Sequence, residues 1–463
     1  MSILIEIPAD RAAPLSWATE IVLGAMLGIP FRLSEGGASE IVLSAEGRKL
    51  VMPSLFPDLD GDRSEWVRQC PVPPLEKMSQ EALPEADLEG PLPVLFGHAE
   101  VAISEREIRC GIDILGSVFF MLSRFEEVVL PDRDPHDRFP GTASLAWKAG
   151  FLYRPIVDEY VESLWVMMKR LWPDLSRTMR VGSVRVSCDV DQPFDRVGAS
   201  PRALARSIAG DLGKRGNPRM AFSRALNFLA HRHGDLRFDP YYTFDWYMDV
   251  CERNGHCAAF YFIADHSAGA IDGTYDIDEP RTLTLMHRIA ERGHEIGMHG
   301  SYNTFRDATQ IGIERNRLLA ACEKAGVDAE ISGNRQHYLR WDAAQTPDLL
   351  DHTGFGYDTS GSFADRPGFR YGTAHPFKMW SWRQLRQLRL VQRPLVVMEG
   401  SVIAKIYLGL GYTPGALNLM HTLRRRALKR GGDFTLLWHN SHFLNQGDRA
   451  FFDNLLQRRG VST

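Results

Sequence analysis

At residue 181 the spacing of apolar residues changes from three and four to two, and this change constrains the fold more than any other feature of the chain. In "SVRVSCDVD", Val184, Val186, Cys188 and Val190 alternate with Arg185, Ser187, Asp189 and Asp191, the pattern of side chains on a strand. Further strand-like runs follow at "CAAFYFIA", "HEIGMH", "RPLVVME" and "FTLLWH". Helical segments stand among them at 281–292, closed by Gly293, and 313–325, closed by Gly326, since glycine favours helix ends. Strands alternating with helices imply an α/β fold with a βα-type parallel sheet or barrel. Functional side chains in such folds gather at the C-terminal ends of the strands.

Upstream the pattern differs. Residues 1–110 read as a small α+β domain: short strands at "SILIEI", "EIVLSA", "KLVMP" and "VAISE", and an amphipathic helix from Pro14 to Gly28. No constellation there suggests chemistry, and docking or substrate capture is the expected role. Residues 111–180 turn helical, with apolar residues three and four apart in "DILGSVFFMLSRFEEVVL" and "RPIVDEYVESLWVMMKRLW", and are expected to brace the first domain on the third. That third region is 181–463. It carries a basic insertion at about 196–239, with Arg196, Arg202, Arg206, Lys214, Arg215, Arg219, Arg224, Arg232 and Arg237 against Asp211 and Asp235. A solvated helical excursion and a basic lid over an anionic glycan or lipid carrier both fit it.

A chain of 463 residues has room for two full cores. Its net charge of -4 supplies no field to hold nucleic acid. The six cysteines are scattered, with no CxxC pair, so free thiols in a reducing compartment are expected. "MSILIEIPAD" carries Glu6 and Asp10 where a signal peptide would be basic and then apolar. The helix after it is broken by Glu20 and two glycines. No membrane span and a cytoplasmic location are therefore expected.

Chemistry-bearing residues cluster in the third region. Asp189 and Asp191 point to one face of a strand, roughly 7 Å apart, which leaves room for a metal ion and its water. One carboxylate could bind the ion while the other takes a proton; a turn capped by Asp191 is the bland alternative. His299 ends "EIGMH", and His439 ends "LLWH" with His442 three residues on. Taken alone, His299 reads first as a structural histidine, and its position at a strand end, shared with Asp191 and His439, is what favours a ligand role; His439 reads as either an edge histidine or a proton donor. "GNRQHYLRW" holds Arg335, His337 and Arg340; if it is extended, Arg335 and Arg340 face opposite ways. "GFGYDTSGSFADRPGFRYGT" places Asp358, Asp365 and Arg370 in a glycine-punctuated loop, a kind of segment that often carries binding residues.

In this order, "SCDVD", "AAFYFI", "GHEIGMH", "NRQHYLRW", "GYDTS" and "LLWHN" resemble the motifs of the polysaccharide deacetylase family, carbohydrate esterase family 4 with its NodB-homology domain. The resemblance covers about 181–463. "FFMLSRFEE" and the N-terminal region are similar to the accessory part of a bacterial branch of that family. The resemblance implies a distorted (β/α) barrel of the TIM-like kind that holds zinc or a related divalent ion with one Asp and two His. It further implies a second Asp as base and a late His as acid. By position Asp189 matches the base, Asp191 the metal carboxylate, His299 the first metal histidine and His439 the acid. Arg335 or Arg340 would orient the base, and Asp358 and Trp438 would position the substrate. Val190 between the two aspartates departs from the adjacent pair usual in the family.

The family's second metal histidine stands four residues after the first, one helical turn on. Here that position is Asn303, and an amide oxygen is a weak zinc ligand. The third ligand is therefore expected from His337, with His442 second. The implied activity is metal-dependent removal of an N-acetyl or O-acetyl group from a sugar or glycan precursor. The rivals are a hydrolase of another C–N bond on the same barrel, and a non-catalytic glycan-binding or scaffold protein that has lost its metal.

Overall fold

The computed structural model describes residues 1–37, 39–59, 63–195, 201–213, 216–230 and 235–457. Within it the chain divides into two compact units. The first comprises Met1–Ser183, Tyr338–Gly409 and Thr422–Thr435; the second comprises Val184–His337, Leu410–His421 and the chain from Leu436 onward. The break at Ser183 lies close to the change of period at 181. Two later segments of the 181–463 region nevertheless group with the N-terminal part.

The first unit shows why. Its six-stranded sheet runs in the order Phe31–Gly36, Ile3–Pro8, Glu40–Ala45, Arg48–Pro53, Glu107–Ile112, Gly97–Ile103. The buried helices Ile114–Leu122 and Ile156–Leu171 belong to the same unit. Trp17 meets Phe119 and Trp380 at ring-centroid distances of 5.5 Å each, and its indole donates to the Lys378 carbonyl at 3.0 Å. Phe125 lies 5.8 Å from Trp382. The Phe377–Ser381/Arg386–Gln392 hairpin thus buries its tryptophans against the helices that the sequence assigned to bracing, and apolar area removed from water is the dominant favourable term in such packing.

Three local expectations change. "DILGSVFFMLSRFEEVVL" is not one helix but two, Ile114–Leu122 and Phe125–Val129, because Arg124 takes a left-handed conformation with φ 56°. "RPLVVME" forms only the short strand Val397–Met398 before the helix Glu399–Ile403. The first helix starts at Ala12 and continues from Glu20 to Met26 with π-type pairing.

The second unit holds the expected parallel strands. Val184–Val190, Ala258–Phe262, Glu295–Gly300 and Gly333–Gln336 lie side by side in that order. Asp189 registers with Tyr261, Tyr261 with Gly297, and His299 with Arg335. The helices Phe244–Arg253, Pro280–Glu291 and Ala308–Lys324 connect them, as parallel crossovers require. On the far side of the first strand, Trp438 N donates to Ser187 O at 3.0 Å, which brings His439 to the same end. Among the described residues no sheet closes on itself; the architecture shown is mixed α/β with parallel strands.

The basic insertion includes helices Pro201–Gly213 and Pro218–Ala230. Arg196, Lys214, Arg215 and Arg232 lie outside the described residues. Arg224 is buried, bonded to Asp211 at 2.8 Å and to Asp195, so part of the insertion's charge is structural. All six cysteines are free, and four of them are buried. Among the described residues no helix is long and apolar enough to cross a membrane.

Candidate metal centre

The C-terminal ends of the parallel strands carry the candidate site, all of it in the second unit. Asp189 and Asp191 end the first strand, His299 the third, and His337 follows the fourth. One donor atom from each of Asp191, His299 and His337 lies within 4.8 Å of the others. Asp191 Oδ1 is 3.2 Å from His299 Nε2 and 3.7 Å from His337 Nε2. A tetrahedral zinc ion with bonds of about 2.0–2.1 Å sets its ligand atoms roughly 3.3 Å apart, so these two edges suit such an ion.

The outward nitrogens fix which way each ring presents its lone pair. His299 Nδ1 lies 2.8 Å from the Arg335 carbonyl oxygen, and His337 Nδ1 lies 2.8 Å from Asp272 Oδ1. Both acceptors require a proton on Nδ1, which in neutral imidazole leaves Nε2 as a bare electron pair turned toward Asp191. Metal-binding histidines commonly donate their second nitrogen to a carboxylate or carbonyl in this way. Asp191 Oδ1 is buried and accepts no well-aligned hydrogen bond. Three electron-pair donors facing one another need a cation or a proton between them. The residues therefore fit a divalent ion, with zinc favoured by the nitrogen-rich donor set.

Electrostatics point the same way. Burial alone would raise the Asp191 carboxyl, but His337 and His299 hold it well below the usual carboxylate range. Burial opposes charge on His337, yet Asp191 and Asp272 raise it to about 9. Without a metal, the proton that His337 retains replaces part of the missing positive charge.

Asp189 stands apart from the three donors but close by. Its Oδ2 is 3.7 Å from His299 Nε2 and its Oδ1 is 3.4 Å from Arg335 Nη1. Arg335, 1% exposed, donates from Nη2 to Ser187 Oγ at 3.0 Å and lies 5.2 Å over the Tyr261 ring. Tyr261 in turn lies on Gly297, where an added Cβ would come within 2.5 Å of the ring. A glycine on the third strand thus sets the depth of the aromatic platform beneath the arginine. His439 completes the group, with Nε2 3.8 Å from Asp191 Oδ2. His442 is exposed, its ring 4.7 Å from that of His439.

Asn303 is outside the donor cluster. The third strand ends at Gly300 and a turn leads to Thr304, so no helical turn joins 299 to 303 and the expected i, i+4 geometry is absent. The Asn303 amide donates to Ser267 O at 3.0 Å and its backbone N–H to Ser267 Oγ at 2.9 Å. The remaining candidates have other surroundings. Arg340, in the first unit, donates to His136 O at 2.8 Å. Asp358, also there, accepts from Ser360 N and Gln392 Nε2 at 2.8 and 2.7 Å. Trp438 is fully buried, stacked on Phe443 at 5.6 Å.

Sequence reasoning missed Asp272. It lies in "GAIDGTYD", which reads only as a turn, and nothing in the sequence ties it to His337, 65 positions away. Tyr302 N and Ala268 N donate to it at 2.7 Å each. Gly273, at φ 88°, brings this loop against Asp191: an added Cβ would lie 2.4 Å from the Asp191 carbonyl oxygen. The Asp-Gly pair, a turn signal, was the one available hint.

Residues 3–173 match the model of a family of unknown function, DUF7033. No curated protein matches the chain. Among solved structures, one described as a "putative polysaccharide deacetylase" from Mycobacterium smegmatis is similar over 62% of this chain and 84% of that chain, at 20% identity and a TM-score of 0.38.

Proposed function

We propose that the second unit is a metal-dependent, carbohydrate deacetylase-like hydrolase that removes an N-acetyl group, or secondarily an O-acetyl group, from a sugar or glycan precursor. The observation that carries this reading is the convergence of Asp191, His299 and His337 donor atoms within 4.8 Å, beside a carboxylate, Asp189, held on a buried arginine. The order of motifs that resembles polysaccharide deacetylases supports it. The parallel strands with their functional side chains at one end support a distorted (β/α) barrel as the parent architecture.

Asp191, His299 and His337 would hold the ion. When bound, a divalent ion supplies a Lewis acid that polarises a carbonyl and acidifies water. Asp189 takes the proton from the attacking water as general base, and Arg335 orients it through the Nη1 contact. His439 gives a proton to the departing amine, a step suited to imidazole near neutral pH. Asp272 acts through His337, fixing its tautomer. The six free cysteines fit a reducing compartment. Placed in the cytoplasm, the enzyme would meet a nucleotide-sugar, a lipid-linked sugar or a short glycan precursor.

Elemental analysis of protein purified without chelator, paired with acetate release from an acetylated chito-oligosaccharide, tests the roles. Wild type should carry about one ion per chain, as one three-residue donor set implies. His299→Ala and His337→Ala should lose both ion and turnover. Asp189→Asn should keep the ion while turnover falls by about a thousandfold or more, the loss of a general base compounded by its positioning. Equal metal content in all four proteins would overturn the assignment.

A further inference from the structure

A cavity of the second unit is lined by none of the proposed hydrolytic residues. It measures about 630 Å³, within the range of small-molecule sites. Its walls come from the insertion helix Pro218–Ala230, the Arg237–Thr243 segment, and Phe443–Asn445 with the first turn of the helix Gln446–Leu456. Arg219, Arg237 and Arg449 line it beside Phe238, Tyr242 and Phe443.

The three arginines differ in how their charge is met. Arg237 is paired with Asp235 at 2.7 Å. Among the described residues, Arg219 and Arg449 have no carboxylate partner. Arg449 lies 4.6 Å over the Trp246 ring, a cation–π contact that fixes its direction without neutralising it. Arg449 is exposed at the cavity mouth, and partial desolvation lowers its pKa. The acidic lining residue, Asp239, already accepts from Asp195 N and Tyr241 N at 3.0 and 2.9 Å. The cavity is left with two guanidinium groups that no carboxylate pairs, one carboxylate whose oxygens are held by backbone N–H groups, and an aromatic wall.

The cavity is also connected to the candidate metal centre. Thr243, on its wall, donates to Asn440 O at 2.9 Å, and the Asn440 amide donates to Gln192 O and Tyr241 O at 2.9 Å each. Asn440 directly follows His439, and Gln192 directly follows Asp191. The wall residue Thr243 is thus one hydrogen bond from the segment that carries His439, and Asn440 links that segment to the one that carries Asp191.

We propose that this cavity is a subsite for a phosphate or diphosphate group, with the organic part of the ligand lying on its aromatic wall. Two free guanidinium groups match a dianion better than a monocarboxylate, since each can form a paired set of charge-assisted hydrogen bonds. As part of the hydrolase's substrate, this group rests on the deacetylase-like reading and narrows it to a sugar bearing a phosphate ester or diphosphate. The cavity's affinity for the anion does not depend on that reading.

Calorimetric titration of inorganic pyrophosphate into the full chain, stripped of metal so that the ion cannot bind the probe, tests the subsite. Wild type should bind saturably. The Arg219→Gln/Arg449→Gln double variant should bind at least tenfold more weakly, and the double Lys variant should lie between, with all three melting alike. Equal affinity in wild type and the Gln variant, or no binding to wild type, overturns the proposal. Glucuronate binding as tightly as pyrophosphate overturns its dianionic character. Binding to phosphatidic acid vesicles without binding to pyrophosphate would move the anion to a membrane surface and also overturn it. Metal content and acetate release on the same proteins keep the two readings separate: failure here with metal and turnover retained removes the subsite alone.

Discussion

The two units each bury a cluster of charged side chains, and the clusters are finished to different degrees. In the first unit, Arg124 donates to Glu127 at 2.7 Å, to Glu126 at 2.6 Å and to the Arg370 carbonyl, while Arg370 donates to Glu127 at 2.8 Å and to Ser362 O at 2.6 Å. Glu126 also accepts from Leu145 N at 2.8 Å. Donors and acceptors alternate, so the network is closed upon itself. In the second unit, Asp191, His299 and His337 turn their donor atoms toward one another within 4.8 Å, and without metal the proton retained on His337 is what offsets their convergence. A closed buried network specifies a fold; under the proposed reading the open one would be completed by a divalent ion. The contrast is sharper for the burial the two share: Arg124 and His299 are each 1% exposed.

The largest effect that can separate the two is removal of a cation from the closed network. Arg370→Met leaves Glu126 and Glu127 sharing Arg124 alone, a broken buried pair that costs about 3–5 kcal/mol. His337→Ala, made without metal, removes a side chain whose partners Asp191 and Asp272 keep other contacts, and should cost clearly less. Chemical denaturation of both variants checks this. A greater loss for His337→Ala would mean that the open cluster is a structural network too.

A smaller, graded difference comes from pH. In the closed network burial raises Glu126, while Glu127, held by Arg370 and Arg124, is drawn down against burial to about 2. A carboxyl lowered on folding contributes stability that is complete above its unfolded value and lost as pH falls toward the folded one. The Glu127 contribution is thus present above 4.5 and fades toward pH 2. His337 is raised from 6.5 to about 9, so in metal-free protein its contribution is complete below 6.5 and lost as pH rises through 9. Thermal melts should therefore show an alkaline loss in metal-free protein. Saturating zinc should remove this loss and add about 2.7 kcal/mol at a hundred times Kd. An alkaline limb unchanged by zinc would sever His337 from the ion.

The parallel strands and the strand-end residues were legible because period-two alternation and terminal polar residues are local properties. The "SVRVSCDVD" and "HEIGMH" runs became Val184–Val190 and Glu295–Gly300. The hidden features are those set by chain return. Nothing in "SFADRPGFRYGT" announces that Arg370 closes on Glu127, and nothing near Trp17 announces Trp380. Asp272 belongs to the same class. A polar residue in a turn becomes a second partner to His337 only when the loop is folded back on Asp191, and Gly273 permits that approach.

The smallest expected effect concerns Asn303, where the sequence departs from the family pattern that the motifs resemble. Its amide holds Ser267, and Ser267 Oγ accepts from Ser301 Oγ at 2.7 Å and reaches Asp272 Oδ2 at 3.4 Å. Asn303 would therefore act on a bound ion at three removes, through Ser267, Asp272 and His337. Asn303→Ala should lower zinc affinity by about twofold or less and stability by roughly 0.5–1.5 kcal/mol, the worth of one hydrogen bond. Asn303→His should give no gain, because position 303 follows a strand end and a turn and does not face the Nε2 of His299 across a helical turn. Competition titration against a chromophoric chelator reads both variants. A tenfold gain for the histidine variant would show that the turn can carry a ligand into the centre, and would cast His337 as one of two interchangeable third donors.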